Sequence, residues 1–345
     1  MRRPGKRGWI LILALLGSSA GVLATRADFE RGETLLKQGD VEGALKAFSA
    51  AIRSAPADPR GYYQRGVCHE RKKDVPAAMV DYRAALKLKA DFAEANNNLG
   101  ALLHEAGKTA EAKQYLQRAV RARADYGEAW FNLGLALSDL GQTAMAVKAY
   151  QRAARLRPRD ADVWINLGAS MRRAGDLDGA IRQLKMAVQL APKDAMARFN
   201  YGSLLMERKR DLEALPHLAE AVKLDVIYLR AWHRLALVQA RLKQYPQAVD
   251  SMKQAGRLAP KSAEVLCDLG KILKKWDKIP QALKQYRAAL KLDPGYSKAY
   301  LLMGLAHAGR GDCRAARKAF QAFVRARRDL PPGTLDKLTK QCKRQ

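Results

Sequence analysis

The sequence predicts an all-α protein built as a tandem array of helical hairpins. A small residue recurs every 34 positions, at Gly32, Gly66, Gly100, Gly134, Gly168, Gly202, Ala236, Gly270 and Gly304. Twelve residues after each of these stands an alanine: Ala44, Ala78, Ala112, Ala146, Ala180, Ala214, Ala248, Ala282 and Ala316. Composition agrees, because apolar residues make up 48% and aromatics only 7% of 345 residues, which suits a core of Ala and Leu, and alanine favours helix.

The first 24 residues stand apart. Arg2, Arg3, Lys6 and Arg7 precede an apolar run from Trp9 to Leu16, and Val22-Leu23-Ala24 leaves small residues at −3 and −1 of a cut before Thr25. That is the layout of a secretory signal peptide. The competing reading is an uncleaved membrane anchor, for which the 17 residues from Gly8 to Ala24 are short. No cysteine lies near the cut, which argues against a lipid-anchored form. Either way the body is expected outside the cytoplasm.

From Thr25 the period governs everything. One full unit, Gly127 to Asp160, reads as two amphipathic helices joined by a glycine-centred turn. Its Trp130, Leu133, Gly134, Ala146, Tyr150, Ala153 and Pro158 fall on the pattern of the tetratricopeptide repeat, which the chain closely resembles. In register, the copies run 25–58, 59–92, 93–126, 127–160, 161–194, 195–228, 229–262, 263–296 and 297–330. The small positions predict close crossing of the paired helices, with no bulky side chain on either at the crossing. The Ala51-to-Ala289 series predicts close approach of each second helix to the next unit, and Phe323 breaks that series. Large residues from Phe48 and Tyr82 to Tyr286 and Phe320 fill the gaps. Gly39, Gly107, Gly141, Gly175 and Gly311 suit the turns, where positive φ is often needed. Pro56, Pro158, Pro192, Pro260 and Pro294 end second helices. The resemblance implies a right-handed α-solenoid whose first helices line a concave groove.

The ends depart from the pattern. Asp28 and Arg31 replace apolar residues in the first copy, as a solvated face requires. After Pro331-Pro332-Gly333, residues 331–345 read as a C-terminal capping helix with a basic tail, with Leu335, Leu338 and Cys342 on one stripe. A hairpin pivoting at Arg327-Arg328 brings Cys313 and Cys342 side by side. In an exported protein that pair is expected to be a disulfide closing a loop of about thirty residues, worth roughly 3–4 kcal/mol, and two unpaired thiols are the alternative. Cys68 and Cys267 read as buried apolar side chains.

No metal-ligand spacing, nucleophile elbow, phosphate-binding glycine loop or dinucleotide fingerprint is present. The five histidines fall in different copies or different register positions. No catalytic residue, metal or cofactor is therefore expected. Binding signals lie on the first helices. The sixth position of four successive copies is Asn98, Asn132, Asn166 and Asn200. An amide offers both a donor and an acceptor to a passing peptide backbone, and rungs spaced about 8–10 Å match about three residues of extended chain. The AxxNLG wording at 95–100 and 129–134 resembles the asparagine ladder of the superhelical tetratricopeptide region of O-linked N-acetylglucosamine transferase. The alternative is that these asparagines are merely solvated.

Charge is uneven. The chain carries a net +29, and residues 229–345 hold 26 Lys+Arg against 8 Asp+Glu. On first helices stand Arg230, Arg234, Arg241, Lys271, Lys274, Lys275 and Lys298, able to converge on one anionic group. Asn200, Arg230 and Arg234 match part of the peptide-carboxylate clamp of chaperone-binding tetratricopeptide domains, whose other pair falls here on Ile165 and Ala169. The expected protein is a non-catalytic scaffold of the bacterial cell envelope, periplasmic or anchored, that binds an extended or acidic polypeptide in its groove. The alternative is electrostatic association with anionic membrane or cell-wall polymer. The export segment and the lack of aromatics among the basic residues disfavour nucleic acid.

Overall fold

The computed structural model of the chain describes residues 26–327 and 333–340. The expected signal segment and Cys342 lie outside these residues. Everything described is helix or short turn, without a strand. The first helices are α1 (26–38), α3 (Pro59–Arg71), α5 (Ala93–Glu105), α7 (Gly127–Asp139), α9 (Ala161–Arg173), α11 (Ala195–Glu207), α13 (Leu229–Arg241), α15 (Ala263–Lys275) and α17 (Ser297–Ala308). They alternate with the second helices α2 (Val41–Ser54), α4 (Val75–Leu88), α6 (Thr109–Ala122), α8 (Thr143–Leu156), α10 (Leu177–Leu190), α12 (Asp211–Leu224), α14 (Tyr245–Leu258), α16 (Ile279–Leu292) and α18 (Cys313–Ala326). A last short helix, α19 (Thr334–Lys340), follows.

The described chain divides into two compact units, one ending at Gly175 and one beginning at Asp176. In the first, α3 packs on α4, α5 on α6 and α7 on α8, and each second helix packs on the next first helix. First helices also touch one another, α5 with α7 and α7 with α9. The second unit repeats the scheme from α10 to α18, with α11, α13, α15 and α17 in sequential contact. Each unit is thus an α-solenoid segment with an inner face made by its first helices. Leu335 and Leu338 of α19 pack against Ala308, Ala316 and Phe320, as a capping helix should.

The recurrent glycine has a different cause from the one its spacing implied. Besides the alanine backbone that approaches Gly100 and Gly202, it faces a large side chain. A Cβ added at Gly134 would lie 2.5 Å from Tyr150, at Gly270 2.4 Å from Tyr286, and at Gly304 2.4 Å from Phe320. The first helix is kept bare so that a large buried side chain of the second helix, an aromatic ring in these copies and Leu116 or Leu218 opposite Gly100 and Gly202, can lie against its backbone. Where the series has Ala236, the facing residue is Met252, an unbranched chain buried in the same cluster that can yield to a methyl group.

The turns between paired helices share one geometry. Asp40 N–H bonds Leu35 O at 2.9 Å, and Gln142 N–H bonds Leu137 O at 2.9 Å, each reaching five residues back. This closure needs one residue with positive φ just past the helix. Gly39, Gly107, Gly141, Gly175 and Gly311 supply it, as expected. The equivalent residues in the other copies are Lys73, Lys209, Lys243 and Asp277, with φ of 60–61°, which sequence reading did not anticipate. Aspartates then cap the second helices: Asp40, Asp74, Asp176 and Asp312 each accept from a backbone N–H three residues on.

The turns between copies are latched by the fourth residue of the first helix. Trp130, Trp164 and Trp232 each donate their indole N–H, at 2.9 Å, to the carbonyl six residues earlier. Asn96 and Arg198 make the same bond with an amide and a guanidinium. Arginines at the other end tie first helices together. Arg71 donates to Leu36 O and Arg241 to Met206 O, both at 2.9 Å, adding a second donor to helix-end carbonyls that already accept a turn N–H.

Candidate functional site

On the inner face of the first unit, the groove is built less from the sixth position than from the fifth. Asn97 is only 1% exposed. Its amide N–H₂ donates to Tyr126 Oη and Glu128 Oε1, both at 3.3 Å, and lies 3.2 Å from Asn98 Oδ1. Its Oδ1 accepts from Asn132 at 3.0 Å, which joins consecutive first helices. Asn98 in turn donates to Tyr82 Oη at 3.2 Å, and Tyr82 donates to Glu70 at 2.6 Å. A continuous polar network therefore runs across α3, α4, α5 and α7. Asn166 bonds its own helix, donating to Asp162 O at 2.9 Å. Of the expected ladder, Asn98, Asn132 and Asn166 are half-buried in the first unit, and Asn200 is half-buried in the second.

The fifth residue of one copy meets the last residue of that copy and the second residue of the next. Tyr63 packs on Phe92 with ring centroids 5.0 Å apart and the planes tilted by 46°, and Arg123 bonds Glu94 at 2.7 Å while lying 3.7 Å from the Tyr126 ring centroid. Burial, then Tyr126 and the carboxylates of Glu94, Glu70 and Glu128, pushes the Tyr63 phenol up to about 12. Burial and Glu128 likewise push Tyr126 up to about 12. Both phenols stay protonated as donors at neutral pH. The second unit repeats the arrangement with opposite charge: Phe199 packs on Tyr228 at 4.8 Å, and the Arg230 guanidinium lies 5.2 Å above Phe199.

Further along the second unit, the fifth position is His233 and the sixth is Asp268. His233 Nε2 lies 2.9 Å from Asp268 Oδ2, Lys271 Nζ 2.9 Å from Oδ1, and Lys298 Nζ 3.5 Å from Oδ1. Burial alone would raise the Asp268 carboxyl. The bonds from His233 and Lys271 and the charge of Lys298 outweigh burial and hold it well below the usual carboxylate range. A cavity of about 410 Å³ opens beside it, lined by Arg230, His233, Arg234, Glu264 and Asp268 among others.

The expected basic residues thus separate. Arg230, Arg234, Lys271 and Lys298 gather around this cavity and its Asp268 wall. Arg241 belongs to the scaffold: besides its bond to Met206 O, it pairs with Asp211 at 3.0 Å. Lys275 is exposed at the end of α15, and Lys274 is half-buried there, its amine lowered by that burial. Sequence reading missed Asn97, Tyr126, Glu128, His233 and Asp268. The available signal for two of them was the position one residue before the asparagines, where Asn97 and His233 break a series that is otherwise mostly aromatic or apolar.

Cys313 is disulfide-bonded, and its expected partner Cys342 lies outside the described residues. Cys68 and Cys267 are free and buried, and burial pushes each thiol up to about 11, as inert core cysteines behave. Among the described residues no group of His, Cys, Asp and Glu is placed to hold a metal. No described helix is long and apolar enough to cross a membrane.

Comparison with known proteins follows the same lines. One tetratricopeptide-repeat family model matches residues 29–91, 131–195, 167–226 and 267–331, and two further tetratricopeptide-repeat models match 91–159 and 229–262. The chain is 31% identical over 109 residues to DnaJ homolog subfamily C member 3 of Rattus norvegicus and also of Homo sapiens. That match takes in 30% of the chain and spans only 22% of the length of those relatives. Among solved structures, YrrB, a tetratricopeptide-repeat protein with an unusual peptide-binding site, is 26% identical with a TM-score of 0.51, over 55% of this chain and 98% of that one. PilF of Pseudomonas aeruginosa, 24% identical with a TM-score of 0.52 over 63% and 97% of the two chains, shares the fold. With family models covering more than half its length and paired helices at a 34-residue period, the chain belongs to the tetratricopeptide-repeat family.

Proposed function

We propose that this protein is a non-catalytic scaffold of the bacterial cell envelope that holds an extended or acidic polypeptide along its first helices. The observation that carries the proposal is a groove cavity of the second unit lined by Arg230 and Arg234, with Lys271 and Lys298 paired to the Asp268 of its wall. Charged side chains at such a site both attract and orient an anionic partner. The amides of Asn98, Asn132, Asn166 and Asn200 would bond the partner's backbone, the first three exchanging internal partners for peptide groups. The peptide-binding site of YrrB, on a similar array, supports the mode of binding. In this reading nine copies from 25 to 330 form the array, residues 331–345 cap it through a Cys313–Cys342 bridge, and residues 1–24 direct export or anchor the chain.

The test is recovery of partners from envelope extract by the intact protein, by a variant with all four ladder asparagines changed to Ala, and by Arg230→Glu/Arg234→Glu. The asparagine variant should lose extended partners, and the charge-reversal variant should lose acidic ones. Identical partner sets from all three baits sink the groove reading. The net charge of +29 supports a second reading, association with anionic membrane or wall polymer. That reading predicts binding that falls steeply with salt and ignores the asparagine positions.

A further inference from the structure

Asp268 is the most deeply buried acid of the second groove, 4% exposed, and contacts side chains from three successive first helices. The dependence runs one way. Lys271 and Lys298 keep 37% and 40% of their side-chain surface in contact with solvent and remain hydrated whatever stands beside them. A carboxylate buried to that depth stays ionised only because those cations surround it. With Asp268 ionised, the imidazole presents its Nε2 proton to the carboxylate. An N–H donor and two ammonium groups thus converge on two oxygens, as they would on a bound anion, and the Arg230 and Arg234 side chains line the cavity alongside.

We propose that Asp268 is a built-in counter-ion: it occupies an anion site formed by His233, Lys271 and Lys298, and so sets how strongly this groove takes an external anionic group. Other copies carry a neutral amide at this register position, as at Asn132, Asn166 and Asn200. Changing Asp268→Asn keeps the shape and removes one negative charge a few ångströms from the cations. At the effective dielectric of a protein groove this strengthens anion binding about three- to tenfold. The incoming group is a carboxylate or a phosphate-like anion presented by a partner, and the inference rests on the acidic-polypeptide reading for its natural ligand.

The experiment is calorimetric titration of inorganic pyrophosphate into the full chain at fixed ionic strength. Wild type, Asp268→Asn, Asp268→Ser and Asp268→Asn/Lys298→Gln are compared, with helicity checked by circular dichroism. Both single variants should bind about three- to tenfold more tightly than wild type, and the added Lys298→Gln should cancel the gain. Equal or weaker binding by whichever single variants are folded overturns the proposal, because it makes Asp268 an organiser of the cations and not their occupant. A parallel titration with hexaglutamate separates the two ideas. If hexaglutamate binds no variant while pyrophosphate still distinguishes them, the acidic-polypeptide reading fails and the counter-ion stands.

Discussion

Replacing Gly134 by alanine should destabilise the first unit although alanine is the better helix former. The new Cβ would lie 2.5, 2.7 and 2.8 Å from three ring carbons of Tyr150, which is 1% exposed. Carbon atoms pack at about 3.5–4.0 Å, so the ring or the helix must shift by roughly 1 Å. Overpacking of that kind costs about 1–3 kcal/mol, against a gain of about 1 kcal/mol in helix propensity. The expected net loss is up to about 2 kcal/mol. The chain itself indicates the remedy, since Ala236 coexists with Met252 in the same register. Adding Tyr150→Met to Gly134→Ala should therefore recover part of the loss, with a favourable coupling of about 1 kcal/mol in a double-mutant cycle. Urea unfolding followed by far-UV dichroism, compared at matched midpoints because a repeat array need not unfold in one step, measures all four proteins. A Gly134→Ala variant stabilised by the full propensity gain, or a coupling of zero, would refute the ring-against-backbone account.

Lys243→Gly, at φ 61°, should stabilise by about 0.5–1 kcal/mol, and Gly141→Ala, at φ 70°, should destabilise by about 1 kcal/mol; thermal melts that reverse either sign contradict the turn geometry. For the bridge, unreduced but denatured protein should titrate two of its four cysteines, Cys68 and Cys267, and four reactive thiols would remove the Cys313–Cys342 pairing. His217 is held neutral by burial and then by Arg198, its pKa lowered, and its Nδ1 is buried without a bonding partner. The unfolded chain therefore takes up the proton first as pH falls below about 6.5, and stability should drop from there until the folded histidine also protonates. His217→Phe should flatten that slope between pH 7 and 5, and an unchanged slope assigns it elsewhere.

The fold was legible because a 34-residue period is a strong constraint: it places helix starts, proline stops and glycine turns in one register. Two things escaped it. The left-handed residues Lys73, Lys209, Lys243 and Asp277 carry no chemical mark of their conformation, which is imposed by the closure bond five residues back. Side-chain partnership was equally hidden. Arg230 and Arg241 look alike in sequence, yet one lies over an aromatic ring in the groove and the other is tied to a helix-end carbonyl and Asp211. The asparagines stand one position after the buried Asn97 through which the network passes. A period identifies which residues are equivalent. It does not say how each is rotated or what lies opposite.

The indole latches have a spectroscopic consequence. Trp130 and Trp164 close equivalent turns in the first unit, and Trp232 closes one in the second. Each chromophore therefore sits in nearly the same surroundings, with its N–H held by a main-chain oxygen, so a shift in its emission records the opening of one identified joint. Proteins retaining a single one of these tryptophans would let the two units be followed separately during unfolding, or during capture of a partner, without any added label.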